Sequence, residues 1–178
     1  MHRTHLPLTI WFWAIYLTAR DKRGISATLL AAELELSYET AWYLLHRIRK
    51  AMSQRDRDYL LSGIVELDDT YFGATEQGGK RGRGTSKTSV MVAISKNDKG
   101  RPQYLKMQVI DNLKGVTIGT FAKAFLLGTN HGNCRDHLQS FLDEFCYRFN
   151  RCWFKDELFS RLLHAVTKSN ILGSAVLS

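Results

Sequence analysis

A chain of 178 residues, 44% hydrophobic and 24% charged, is long enough to bury an ordinary core and too apolar for intrinsic disorder. Lysine and arginine outnumber the acids by 25 to 17, a formal charge of +8 that favours a polyanionic partner without choosing between DNA, RNA and anionic lipid. The three cysteines, Cys134, Cys146 and Cys152, contain no C-x-x-C pair, so they suggest neither a disulfide framework nor a zinc ribbon and fit a reducing cytoplasm.

In chain order, the first element is LPLTIWFWAIYLTA, from Leu6 to Ala19. It is too short to span a bilayer. Leu8, Trp11, Phe12, Ile15 and Ala19 recur at helical spacing, so it reads as a core helix rather than a targeting segment. A charged turn, ARDKRG, ends at Gly24, and Ser26 is placed to cap a second helix, ATLLAAELE. Leu34, Glu35 and Leu36 break that pattern before Ser37 caps a third helix, SYETAWYLLHRIRKAMSQRD, whose far end carries Arg47, Arg49, Lys50, Arg55 and Arg57. Two short helices joined by a tight turn make a helix-turn-helix candidate over residues 1–58. In such a module the N-terminal side chains of the second helix meet base edges, here Tyr38, Glu39, Thr40 and Tyr43, with Arg47 behind them. The plain alternative is a three-helix bundle whose basic end is simply solvated.

From residue 62 the pattern turns to strands. GIVELDDTYFG alternates, with Val65, Leu67 and Asp69 on one face and Glu66, Asp68 and Thr70 on the other. TSVMVAIS is apolar almost throughout and reads as a central strand, and QYLKMQVI alternates with Leu105, Met107 and Val109 inward. NDKG, Asn97 to Gly100, supplies the turn between them, which makes the three strands consecutive antiparallel neighbours. GVTIGTFAKAFLLG and HLQSFLDEFCYRFNRCWF follow as helices.

Paired acids on a strand suit magnesium or manganese, since hard cations take oxygen ligands. Asp68 is the candidate ligand, with Asp69 beside it, and two ions there would serve phosphodiester cleavage or strand transfer. The following loop, EQGGKRGRGTSK, places Lys80, Arg81, Arg83 and Lys87 among glycines, a composition that suits tracking a phosphate backbone. A zinc site from His131, Cys134 and His137 with Cys146 is a weaker alternative, because Gly132 and Asn133 between them favour a turn.

Taken together, HLPLTIWFWAIYL, ISATLLAAELELSYETAWYLLHRIRKAM, VELDDTYFG with its basic glycine loop, and KAFLLGTNHG leading to HLQSFLDEFCYRFNR resemble the insertion-sequence transposases of the family numbered fifteen ninety-five. The resemblance implies an α/β fold: a helix-turn-helix module followed, over residues 62–178, by an incomplete RNase H-like mixed sheet with helices. It further implies DNA as partner, specifically element terminal repeats, and oligomers or mixed complexes with a full-length transposase. Magnesium or manganese is the expected cofactor, and the expected setting is a bacterial, nucleoid-associated cytoplasmic one. Asp68 matches the first catalytic aspartate of the family. The segment carrying the second is absent, Ala122 running directly into Lys123, and Phe121 stands where the third residue, an asparagine, is usual. Relatives also carry a zinc ribbon ahead of the HLPL block, and Cys152 replaces a usual arginine. Asp111 and Glu144 are the acids available as substitutes. The expectation is a DNA-binding transposase copy with defective catalysis, the alternative a non-enzymatic regulator or inhibitor of transposition.

Overall fold

The computed structural model describes residues 6–20, 24–72, 87–110 and 136–169, and these form a mixed α/β protein with five α-helices and a three-stranded antiparallel sheet. The chain divides into two compact units: Met1–Asp56 with Arg151–Ser178, and Arg57–Asn150. The C-terminal segment from Arg151 groups with the N-terminal helices.

In the helical unit, α1 (Leu8–Arg20) buries Trp11, Ala14, Ile15, Leu17, Thr18 and Ala19. Leu8 and Phe12 do not belong to that core: they are 53% and 42% exposed, because the buried stripe runs through 11, 14–15 and 17–19 instead. Phe12 lines an open apolar groove with Thr9, Trp13, Tyr16 and Phe159, in which Tyr16 meets Trp13 and Phe159 edge-on at 5.8 and 5.9 Å.

Helix α2 (Ala27–Leu34) starts as its cap predicts, the Ser26 hydroxyl accepting the Leu29 N–H at 3.1 Å. It stops at Glu35, which adopts the left-handed region at φ 53° so that the Leu36 N–H turns back to the Ala31 carbonyl at 2.9 Å. Helix α3 (Tyr38–Arg57) buries Ala41, Leu44, Leu45, Ile48, Ala51 and Met52, a three-to-four spacing that faces one core.

Helix α5 (Leu158–Lys168), which the sequence reading did not single out, packs on α1 through a strongly amphipathic face that includes Leu162, Ala165 and Val166. A buried ion pair at 2.6 Å joins the Arg151 guanidinium to Asp56 at the end of α3. Part of the basic end of α3 is therefore internal. Arg49 is only 6% exposed, while Lys50 and Arg57 are exposed and Arg47 and Arg55 half-buried.

In the second unit, strands β1 (Ile64–Phe72), β2 (Thr88–Lys96) and β3 (Pro102–Ile110) pair in that order, β2 in the centre. The Asn97–Gly100 turn forms as expected. The Asn97 side chain accepts the Lys99 and Arg101 N–H groups at 3.0 and 2.9 Å, and Gly100 takes φ 73°. One face of the sheet, Val90, Val92, Met107 and Val109, packs on Leu138 and Leu142 of α4 (Asp136–Phe149). The other gathers Met91, Ala93 and Ile110 around Leu61, with Val65 against them.

The two sheet edges differ. Along β3, side-chain amides of the helical segment take up the outer backbone groups. Asn150 accepts the Leu105 N–H at 2.7 Å and donates to the Leu105 carbonyl at 3.1 Å, and Gln139 accepts the Val109 N–H at 2.8 Å and donates to the Met107 carbonyl at 2.9 Å. This also explains why the predicted long helix breaks after Phe149: the Asn150 side chain is committed to the strand, and the chain turns through Arg151–Phe154. Along β1 no strand pairs with the outer edge among the described residues. GVTIGTFAKAFLLG, the Ala122/Lys123 junction, Phe121, Asp111, His131 and Cys134 lie outside the described residues.

Candidate nucleic-acid interface and acidic strand

The α2–α3 pair owes its geometry to three residues, Glu35, Leu36 and Ser37, a turn of the length that helix-turn-helix motifs use. Ser37 caps α3 as read from sequence, its hydroxyl accepting the Thr40 N–H at 3.2 Å and meeting the Thr40 hydroxyl at 2.8 Å. Ser37→Ala should therefore destabilise the helical unit by about 1 kcal/mol, measured by thermal or urea unfolding, whereas Ser37→Asp should hold it near the wild-type value.

The expected base-contacting side chains divide. Tyr38 and Tyr43 stand 56% and 54% exposed, and Glu39 is exposed. Thr40 is half-buried and bonded into the cap, so it belongs to the turn. Glu39, Tyr43, Arg47 and Lys50 follow one another at intervals of four, four and three residues and form one stripe of α3 outside its buried face. Missing from the sequence reading was Trp42. Its ring lies 3.9 Å from the His46 ring and 5.2 Å, edge-on, from that of Tyr43, so it stiffens this surface. The i, i+4 spacing of Trp42 and His46 was the available signal. Lys80, Arg81 and Arg83 lie outside the described residues. Lys87 is half-buried immediately before β2.

On β1, the register pairs Asp68 with Val92 and Asp69 with Met91. Asp68 therefore shares the α4 face of the sheet, and Asp69 points to the Leu61 face. Asp68 is exposed, and its carboxylate accepts the Asp69 N–H at 2.8 Å; Asp69 is half-buried. The sequence reading required a buried face that accommodates a carboxylate. An edge position removes that requirement, because the outer strand leaves Asp68 open to water.

These residues fit a two-ion centre poorly. Asp68 and Asp69 diverge to opposite faces, so their side chains do not converge on one ion. Glu66, two positions before Asp68 on the same face, is paired with Lys96 at 2.5 Å. Glu144 on α4 is buried and paired with Arg148 at 2.7 Å. No group of three histidine, cysteine, aspartate or glutamate side chains that would hold a metal occurs among the described residues.

Residues 60–127 match the family model of the ISXO2-like transposase domain. The matched segment runs from Leu60 through all three strands, and the family it is similar to is the one the sequence blocks resemble. The match covers well under half of the chain and includes Asp68 and Asp69. No curated protein and no solved structure matches the chain. No helix among the described residues is long and apolar enough to cross a membrane.

Proposed function

We propose that this chain is a transposase-derived DNA-binding protein in which α2 and α3 act as a helix-turn-helix and the β1–β3 sheet with α4 is the remnant of an RNase H-like core. The observation that carries the reading is the transposase-domain match over 60–127, which begins just after the capped helix pair with its exposed aromatic and basic stripe. Asp68 takes the role of the family's first catalytic aspartate. Magnesium or manganese in that family supplies the charge that activates the attacking oxygen and stabilises the leaving one. In this reading the copy binds DNA without cutting it, because the family's second and third catalytic residues have no counterpart in the sequence; among the described acids, Glu66 and Glu144 pair with Lys96 and Arg148.

The test is the salt dependence of binding to duplexes containing the terminal repeats that flank the gene. Wild-type protein should bind, with log K falling linearly against log salt. Arg47→Ala and Lys50→Ala should each weaken binding on all duplexes alike and lower the slope by about 1. Wild-type slopes near zero, or no binding at low salt, would reject the reading.

A second reading, an inhibitor that joins a complete transposase in a mixed complex, is favoured by the unequal sheet edges, since among the described residues no strand pairs with the outer edge of β1 while β3 is closed by Gln139 and Asn150. Transposition of a complete element should then fall when this chain is co-expressed. Unchanged transposition with demonstrable expression would exclude it.

A further inference from the structure

On the reading that α3 lies in the major groove, Glu39 is an anomaly. It sits in the first turn of α3 at the head of a stripe whose later members, Arg47 and Lys50, are cations, and it is exposed. Its side chain makes no ion pair or hydrogen bond with any described residue. An unneutralised carboxylate on a surface that approaches phosphates lowers affinity for every duplex. It gains from a duplex only where a base edge offers it a donor. In the major groove the exocyclic amine of cytosine is the donor that a carboxylate accepts from, whereas guanine presents only the acceptors N7 and O6 there.

We propose that Glu39 is the specificity-determining residue of this helix, reading the N4 amine of a cytosine at one position of each bound site and excluding guanine from that position. The neighbouring geometry isolates it for this task. The Thr40 hydroxyl, a neighbouring polar group of the first turn, is held by Ser37 at 2.8 Å and is not free to compete for the same base. Tyr43, one turn along the stripe, is held edge-on against Trp42 and is exposed, available to an adjacent base or sugar. Arg47 and Lys50 continue away from the base-reading end, where cations meet backbone phosphates and set the register. The first turn reads and the following turns anchor.

The simpler role for an acid in the first turn is to complement the positive end of the helix dipole, and it predicts the opposite sign for one measurement. The experiment uses the full chain, as wild type, Glu39→Gln and Glu39→Ala, in two assays. The first is selection of bound sites from a random duplex pool. The second is affinity for a duplex of unrelated sequence, with helix content and melting followed by circular dichroism.

Wild type should select cytosine over guanine at one position by tenfold or more. Glu39→Ala should lose that preference while binding the unrelated duplex more tightly, and Glu39→Gln should move the preference to adenine, whose N6 and N7 suit an amide. An unchanged base profile in both variants that still bind overturns the proposal and leaves the DNA-binding reading intact. A fall in affinity for the unrelated duplex in the variants, in step with a lower melting temperature, assigns Glu39 to the dipole and also overturns it. Absence of DNA binding by the wild type rejects the underlying reading, and this inference with it.

Discussion

Arg151→Ala should destabilise the helical unit by about 3 kcal/mol or more, because it strips a buried carboxylate of its guanidinium partner. Asp56 and Arg151 have side chains 11% and 6% exposed and meet at 2.6 Å, so water does little to screen the pair or to replace the lost partner. The bond closes a long circuit: it ties the end of α3 to the segment that leads into α5, ninety-five positions further along the chain. Substituting both residues by apolar ones of similar size, Asp56→Leu with Arg151→Met, should recover much of the loss, since a buried pair is costly mainly when half of it remains. Urea unfolding followed by helical circular dichroism reads both effects. A loss under about 1 kcal/mol for Arg151→Ala would mean that the pair behaves like one on the surface. By the same reasoning, a fragment ending at residue 58 lacks Arg151, Leu162, Ala165 and Val166 and should melt far below the full chain.

Asn150→Ala should cost about 2 to 3 kcal/mol. The side chain is buried and serves both the N–H and the carbonyl of Leu105, so its removal leaves two strand-edge groups without partners and without ready access to water. Asn150→Asp is the sharper variant. It keeps the acceptor for the N–H at 2.7 Å and sets a negative oxygen against the carbonyl, so it should destabilise at least as much as alanine. Amide exchange at Leu105 measures the local effect. Protection there that survives both substitutions would show that the edge is held by something else.

The features legible in the sequence are those with local causes. Ser26 and Ser37 announce their helices because a cap hydroxyl acts within three residues, and Asn97–Gly100 announces its turn for the same reason. The central position of β2 follows from its unbroken apolar run, and the opposite facing of Asp68 and Asp69 from strand alternation. What stayed hidden depends on distant partners. Nothing near Arg49 or Arg151 says that these cations turn inward, and the helical charge pattern is equally compatible with a solvated Arg49. Leu8 and Phe12 fit a core stripe equally well on spacing, and only the packing of α1 on α2 and α5 selects the neighbouring one. Asn150 looks like a residue inside a long helix until the edge of β3 is placed beside it.

The candidate site was half visible in the same sense. Tyr38, Glu39 and Tyr43 are exposed on α3, as its period implies, but Thr40 spends its hydroxyl on the turn. Asp68 is a candidate because of its acidic strand and the blocks around it. Its exposed edge position, and the commitment of Glu66 and Glu144 to Lys96 and Arg148, come from tertiary pairing that the sequence does not spell out.

The most direct test of a transposase remnant that binds DNA without cutting it is a paired assay on one labelled duplex carrying a terminal repeat. Wild type and Asp68→Ala are incubated with magnesium and, separately, with manganese, beside a complete relative as positive control. Mobility shift and strand cleavage are read from the same reactions. The account predicts equal shifts for the two proteins and cleavage by neither, while the relative cuts. Metal-dependent cleavage by the wild type that Asp68→Ala abolishes would contradict it.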